Sequence, residues 1–298
     1  MYRTFNDYCK EKFGCKVYKL SLDAGFTCPN RDGTAGSRGC IFCSRYGGGE
    51  FAQGQCESIA EQLAKAKEKV AFKAKNGKFI AYFQSFSNTY GHPDHLRRLY
   101  LEAISPQDVV GLAIGTRPDC LGKEVLEVLT EINAIKPVSV ELGLQTANDK
   151  TAHYIRRGYP LPVFDDAVHR LKQAGITVIV HQILGLPGES QEQMLQTTRY
   201  IGTSGADGIK LQLPHVLEGT DLADDWRAGN VPVLELEDYL MLLCDCIRVL
   251  PPDMVIHRLT GDGPKKLLLA PLWTANKKLV LNELNRQLES RNIRQGSA

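Results

Sequence analysis

The sequence predicts an α/β fold, a partial TIM-type (β/α)6 barrel with helical additions at its termini. Two observations predict it. Short, nearly continuous apolar segments alternate with amphipathic helical patterns, as expected for strands that are covered on both faces. From the second strand to the sixth, the spacing is about 30 residues, the length of one βαβ unit. The barrel is therefore expected to contain six such units.

The predicted strands, taken in order, are Val17–Leu22, Lys78–Phe83, Val109–Ile114, Val138–Leu144, Thr177–Leu184 and Gly208–Leu213. The helical patterns between them are Ser58–Lys75, His95–Leu101, Lys123–Ile132, Val163–Ala174 and Gln191–Ser204. Three elements are expected after the last strand: a helix over Glu235–Val249, a short strand over Met254–His257, and a basic amphipathic helix over Asn276–Arg294 that covers the barrel edge.

No linker or low-complexity tract divides the 298 residues. We therefore expect a single domain over residues 1–298, with a core barrel at about 15–215 and a C-terminal extension at about 216–298 that closes the barrel.

Composition limits the class of protein. Hydrophobic residues make up 43% of the chain and charged residues 23%, as in ordinary globular proteins. There is no apolar run of about 18 residues and the N-terminus is polar, so we expect no membrane span, no secretory signal and a cytoplasmic location. A net charge of +2 argues against a strongly basic nucleic-acid scaffold.

The cysteines point to chemistry. There are nine, an odd number, which favours thiol or metal chemistry over a disulfide framework. Cys28, Cys40 and Cys43 fall in one glycine-rich segment after the first strand, DAGFTCPNRDGTAGSRGCIFC. Functional loops of α/β barrels collect at this rim. Three thiolates suit a [4Fe–4S] cluster with one open iron, and a zinc site with Cys56 as fourth ligand is the alternative.

These residues carry a resemblance. CPNRDGT…GCIFC is similar to the long-spaced cluster motif of the YhcC-like branch of the radical S-adenosylmethionine (SAM) superfamily, which is related to the Elongator catalytic subunit. The resemblance extends from about Tyr18 to Leu259. It includes FQSFSNTY, GTRPD, ELGLQT, IRRGY and HQILGLPGE in this order. It implies a [4Fe–4S] cluster and SAM as cofactors, with an electron donor such as flavodoxin or ferredoxin.

The resemblance also implies roles for residues. Glu141, inside an apolar strand, is expected to hydrogen-bond SAM, with a structural ion pair as the alternative. Arg157 is expected to grip the SAM carboxylate as a two-pronged fork. Gly185 would let the backbone approach adenine. The other expected cofactor contacts are Phe42, Gln84, Ser85, Thr116, Gln145, His181 and Leu213, and the catalytic candidates are Asn88, His181 and His215.

The substrate is the least determined point. The near-neutral charge and the lack of a recognisable RNA-binding appendix favour a small molecule. Within the branch, the best precedent is a lyase that cleaves queuine to release a 7-deazaguanine base for salvage. Two alternatives stay open, namely a radical SAM enzyme that modifies tRNA and a zinc-binding module without catalysis.

Overall fold

Seven parallel strands form one curled sheet in the computed structural model, which describes residues 1–49, 52, 58–74, 77–261 and 263–298. From edge to edge they are β1 (Val17–Leu22), β2 (Lys78–Phe83), β3 (Val109–Thr116), β4 (Val138–Gln145), β5 (Thr177–Ile183), β6 (Gly208–Gln212) and β8 (Val255–Arg258). The short strands β7 (Val216–Leu217) and β9 (Leu268–Ala270) pair antiparallel in a separate sheet. The predicted partial barrel is confirmed. The short strand expected near residue 255 joins the same sheet as its seventh strand, β8.

The helices are α1 (Phe5–Phe13), α2 (Ile59–Val70), α3 (Pro93–Ile104), α4 (Lys123–Ile135), α5 (Asp149–Tyr154), α6 (Leu161–Gln173), α7 (Gln191–Thr203), α8 (Asp221–Arg227), α9 (Leu236–Val249) and α10 (Lys277–Ser290). Short 3-10 helices lie at Pro118–Cys120 and Leu272–Ala275. None of the described helices is long and apolar enough to cross a bilayer. Sequence periodicity did not predict α1, α5 or α8, because all three are shorter than three turns and the face of α1 is also weakly apolar.

Local signals fix where the helices begin. Ser58 accepts a hydrogen bond from the backbone of Glu61 at the start of α2, and the Glu61 side chain accepts one from the backbone of Ser58. Ser190 and Gln193 form the same capping box on α7. Each box satisfies two backbone donors that the first helical turn leaves without partners.

The alternating strand residues separate two compartments. One set faces the helices and forms the main core, which includes Phe83, Leu112, Val140 and Val178. The other set faces the barrel interior, where Val17, Ile80 and Ala113 meet Phe5 and Tyr8 of α1. Helix α1 contacts both edge strands, β1 and β8, and therefore plugs the N-terminal end of the barrel. The cavity opens toward the carboxyl ends of the strands.

Candidate functional site

A cavity of about 290 Å³ occupies the barrel interior above α1. Its upper wall is the cysteine loop (residues 23–49), which directly follows β1. The sequence-predicted residues that line it are Cys28, Cys40, Phe42, Cys43, Gln84, Thr116, Glu141, Gln145, Arg157, His181, Leu213 and His215. One cavity thus brings together residues from six strands or their following loops.

The three predicted cluster ligands lie on one wall. The backbone carbonyl of Cys40 accepts a hydrogen bond of 3.0 Å from the backbone amide of Cys43. This turn keeps the two cysteines close together in the loop. The side-chain amide of Asn30 lies 3.6 Å from Cys40 Sγ. Burial raises the pKa of the Cys40 thiol to about 12, and the neighbouring Cys43 adds to the rise. A metal bound to such a thiol would stabilise the thiolate and release its proton to solvent.

This donor set fits an iron–sulfur cluster. Among the described residues, no three His, Cys, Asp or Glu side chains are close enough to share a single metal ion. In a [4Fe–4S] cluster, each cysteine binds a different iron, so its thiolates stand further apart than the ligands of one ion. Cys56, the fourth ligand of the zinc alternative, lies outside the described residues.

Polar contacts tie the cysteine loop to the rest of the rim. Asn30 donates to the carbonyl of Arg156 at 2.6 Å, and Arg117 donates to the carbonyl of Arg157 at 2.7 Å. Asp119 holds the Arg117 guanidinium through two bonds of 2.9 and 2.7 Å. The IRRGY segment, residues 155–159, therefore supports the cysteine loop.

Arg157 also has contacts within the protein. Its Nε donates to the carbonyl of Tyr159 (3.0 Å) and its Nη1 to the carbonyl of Thr146 (2.6 Å). The guanidinium also lies over the Tyr159 ring, with 4.7 Å to the centroid. These two carbonyls use two of the five N–H donors of the guanidinium, and Nη2 has a 4.0 Å contact with Asp149. Arg157 lines the cavity, and its grip on the SAM carboxylate stays a prediction.

Three predicted site residues do not line the cavity: the expected cofactor contacts Ser85 and Gly185 and the catalytic candidate Asn88. The Asn88 amide donates to the carbonyl of Gly115 (2.8 Å) and joins the loop after β2 to β3. At Gly185 a Cβ would come within 2.8 Å of Leu234, and its φ of +84° favours glycine. The positive φ is what favours glycine at position 185, and an approach of adenine to Gly185 stays a prediction.

Gln145 has two unusual features. Its φ is +68°, a left-handed conformation that costs a non-glycine residue about 1–2 kcal/mol. Its buried Oε1 has no hydrogen-bond partner among the described residues. A strained backbone that aims an unsatisfied acceptor into a cavity is typical of a ligand contact. These observations fit the predicted role of Gln145 in binding SAM.

Glu141 is the centre of a buried charge network. Its Oε1 pairs with Lys19 at 2.5 Å, and its Oε2 accepts from the Tyr82 hydroxyl at 2.7 Å. His181 Nε2 lies 2.9 Å from the same Oε2, and Lys210 also pairs with it. Burial opposes ionisation, but Lys19 and Lys210 hold the pKa of Glu141 well below its usual range. The structural ion pair, named as the alternative for Glu141, is present.

Sequence reasoning missed the partners of Glu141. Lys19 and Lys210 each stand inside an apolar strand, in VYKLSL and GIKLQL, and Arg258 ends the last strand. A lysine among buried strand residues is a usable signal, because an unpaired buried charge is costly and implies a partner. The same argument that singles out Glu141 therefore applies to both lysines.

Comparison with known proteins identifies the family. The Radical SAM superfamily profile matches residues 32–201, and the Radical_SAM C-terminal domain profile matches residues 206–290. The chain belongs to the radical SAM superfamily. It is 41% identical to protein YtqA of Bacillus subtilis (strain 168) over 99% of this chain and 92% of the relative. It is 43% identical to protein YhcC of Escherichia coli (strain K12) over 96% of this chain and 92% of that protein. The predicted YhcC-like branch is confirmed.

Other proteins share part of the chain or the fold. The tRNA uridine(34) acetyltransferase of Dehalococcoides mccartyi (strain CBDB1) is 31% identical over 61% of this chain and 39% of that protein. The archaeal Methanocaldococcus infernus Elp3 has the same fold, with a TM-score of 0.72 and 17% identity over 94% of this chain and 64% of that chain. Radical SAM enzymes use a [4Fe–4S] cluster and SAM, so both predicted cofactors are confirmed for this member.

Proposed function

We propose that this radical SAM enzyme acts on a modified base in tRNA, with Cys28, Cys40 and Cys43 as the cluster ligands. When bound, the reduced cluster and SAM supply a 5′-deoxyadenosyl radical. The residues of the chain hold the cofactors, exclude water and position the base. An electron donor such as flavodoxin or ferredoxin supplies the electron.

The observation that carries the choice of substrate is the relationship to the tRNA uridine(34) acetyltransferase, which matches 185 residues of the chain. This choice reverses the preference for a small free base and takes the first alternative in its place. The cytoplasmic location remains a prediction.

Cationic residues beside the cavity support an RNA substrate. Arg45 and Tyr46 are exposed on the cysteine loop, next to the cavity-lining Ser44 and Gly47. The Arg45 guanidinium lies 4.6 Å from the Tyr46 ring centroid, so an aromatic face and a cation are presented together. Lys265 and Lys266 are exposed directly after the lining residue Pro264. Cations with an exposed aromatic ring suit a phosphate backbone with an unstacked base.

Queuine fits the floor of the cavity less well. Its secondary amine is protonated near neutral pH. Lys19 and Lys210 already share the carboxylate of Glu141, and both oxygens of that carboxylate are occupied by partners within the described chain. A further cation would meet like charge at this level of the barrel.

Anaerobic reconstitution tests the choice. The reduced holoenzyme is given SAM with total tRNA, with free queuine, or with neither, and 5′-deoxyadenosine is measured, followed by mass spectrometry of the nucleosides. We expect tRNA to stimulate 5′-deoxyadenosine formation and one modified nucleoside to change. Stimulation by queuine and not by tRNA would overturn the proposal in favour of the lyase.

Substitution of the exposed cations at the rim of the cavity tests their role in binding tRNA. Replacing Arg45, Lys265 and Lys266 by alanine should weaken the response to tRNA and reduce its salt dependence by about one counterion for each phosphate that is no longer bound. The cluster content should not change, because none of these side chains is a thiol. The Cys28→Ala variant is the inactive control.

A further inference from the structure

The cysteine loop has to bring thiols from separate positions to one cluster. Residues 29–39 separate Cys28 from Cys40, and each predicted ligand binds a different iron of the same cluster. A turn lies at each end of this segment. At its start the backbone amide of Arg31 donates to the carbonyl of Cys28 at 2.8 Å, and at its end the amide of Cys43 donates to Cys40. These two turns do not by themselves fix Cys28 relative to Cys43.

The side chain of Arg31 joins the two turns. Its Nη2 donates to the carbonyl of Cys43 at 2.9 Å and to the carbonyl of Ser44 at 2.5 Å. Since the backbone amide of Arg31 is bonded to Cys28, one residue contacts the main chain of the first and the last predicted ligand. Loss of this side chain would therefore free the distance between Cys28 and Cys43 without removing a thiol.

The surroundings of the guanidinium are shaped to receive it. A Cβ at Gly39 would lie 3.0 Å from Arg31 Nε, and the φ of Gly39 is +75°. The ring of Phe86 lies against the guanidinium, with 5.6 Å from Cζ to the ring centroid. Phe86 itself has a φ of +59°, which is unfavourable for a residue other than glycine, and a Cβ at Gly47 would lie 2.4 Å from its ring. Two glycines and a strained aromatic residue thus accommodate one arginine.

Arg31 also places a positive charge beside the predicted ligands. It lines the same cavity as Cys28, Cys40 and Cys43. Its guanidinium stays protonated, and in the described part of the chain it contacts two carbonyls and an aromatic ring rather than a carboxylate. One-electron reduction makes a bound cluster more negative, so a nearby cation stabilises the reduced state and raises the reduction potential.

We infer that Arg31 is a positioning residue, which fixes Cys43 relative to Cys28 and raises the reduction potential of the bound cluster. The inference rests on the cluster ligands of the proposed function but not on its tRNA substrate. Reduction of the cluster precedes the cleavage of SAM, so the charge of Arg31 favours the first step of the reaction. Arg31 acts through the loop and through its charge, not as a ligand of iron.

Two substitutions separate the shape of Arg31 from its charge. Arg31→Met removes both, whereas Arg31→Lys keeps a positive charge but loses the planar guanidinium that lies against Phe86. We expect both variants to lose iron to a chelator several times faster than the wild type, and Arg31→Met alone to have a lower reduction potential. The reconstituted holoenzyme is used for both measurements, a chelator assay of the oxidised protein and a redox titration followed by EPR spectroscopy.

Arg38→Met is the matched control. Arg38 lies in the same loop, and its side chain is 70% exposed, so its charge is screened by solvent. Its partner Asp221 keeps the ion pair with Arg156 when Arg38 is replaced. Neither iron retention nor the reduction potential should change in this variant.

Each outcome has one meaning. A wild-type potential in Arg31→Met overturns the inference even if iron is lost faster, because a packing role alone gives that result. If Arg31→Met takes up no iron, Arg31→Lys decides: iron retention equal to that of the wild type overturns the inference, and faster loss at an unchanged potential supports it. A full cluster in Cys28→Ala would instead overturn the assigned ligands. Loss of iron in Cys28→Ala together with wild-type behaviour of Arg31→Met overturns the role of Arg31 alone.

Discussion

Asn30 Nδ2 lies 3.6 Å from Cys40 Sγ and donates to the main-chain carbonyl of Arg156 over 2.6 Å. One amide thus joins a predicted cluster ligand to the segment after α5. Gly158 is fitted to this contact, since its φ is +81° and a Cβ there would lie 2.4 Å from Asn30 Oδ1. The position of Cys40 depends on a residue that is itself no ligand.

Asn30→Ala should loosen the cluster without removing a ligand. We expect iron to be lost to a chelator several times faster than from the wild type, because the loop loses a buried hydrogen bond of about 1 kcal/mol. The exposed Asn230→Ala variant is the control. Iron retention equal to that of wild type would show that Asn30 does not position the loop.

The assignment of Cys28, Cys40 and Cys43 as cluster ligands predicts that these thiols are needed for iron binding and that the other tested thiols are not. Alanine at Cys28, Cys40 or Cys43 should abolish iron binding and SAM cleavage, because each thiolate binds a separate iron. Alanine at Cys15, which does not line the cavity, should leave both intact. The same is expected of Cys56. A full cluster in Cys40→Ala, measured by iron and sulfide analysis, contradicts the assignment.

The Glu141→Gln variant distinguishes a structural role of Glu141 from a role in binding SAM. Removing the carboxylate leaves Lys19 and Lys210 without their anion, and breaking a buried pair costs about 3–5 kcal/mol of the free energy of unfolding. If Glu141 also bonds SAM, affinity should fall about ten- to a hundredfold. The double variant with Lys210→Met should recover part of the lost stability, because only Lys19 then lacks its anion. Urea denaturation and SAM titration read the two effects independently, and unchanged SAM affinity would assign Glu141 to the ion pair alone.

The Gln145→Gly variant is expected to raise the stability of the apoprotein and to lower its affinity for SAM. Glycine relieves the positive φ and should stabilise the apoprotein by about 1 kcal/mol. It also removes the unsatisfied Oε1, so SAM affinity should fall. Thermal denaturation of the apoprotein and SAM titration of the holoenzyme measure the two. Weaker SAM binding together with a less stable apoprotein would point to a packing role.

Acid should destabilise the apoprotein through His181. Burial lowers the pKa of His181 from 6.5 to about 4, with Lys210 as a further cause. Between these values, the unfolded chain binds a proton that the folded chain does not, so stability falls as the pH drops below about 6.5. At pH 5.5 the loss is about 1 kcal/mol. Urea midpoints of wild type and His181→Gln should converge at pH 5.5, and a constant difference from pH 7.5 to 5.5 would contradict this.

Local patterns determined the barrel strands and the cluster loop. The strands are short and apolar on both faces, and their ends were predicted to within two residues, as Val109–Thr116 illustrates against the expected Val109–Ile114. The three cysteines could be singled out because their glycine-rich segment follows a strand directly, and the ends of parallel strands lie at one rim. Both signals are contained in a few consecutive residues.

Only the tertiary structure decided what the inward-facing side chains do. Glu141 was visible in the sequence, but its partners come from strands about 70 and 120 residues away, as closure of the barrel requires. Arg157 bonds to the carbonyls of Thr146 and Tyr159, and α1 entered the barrel although its pattern is weak. Strand register sets such pairings, and a slip of one residue would turn Lys210 away from the cavity. The sequence by itself therefore determined the strands and the thiols, while the register of the closed sheet decided the charged floor.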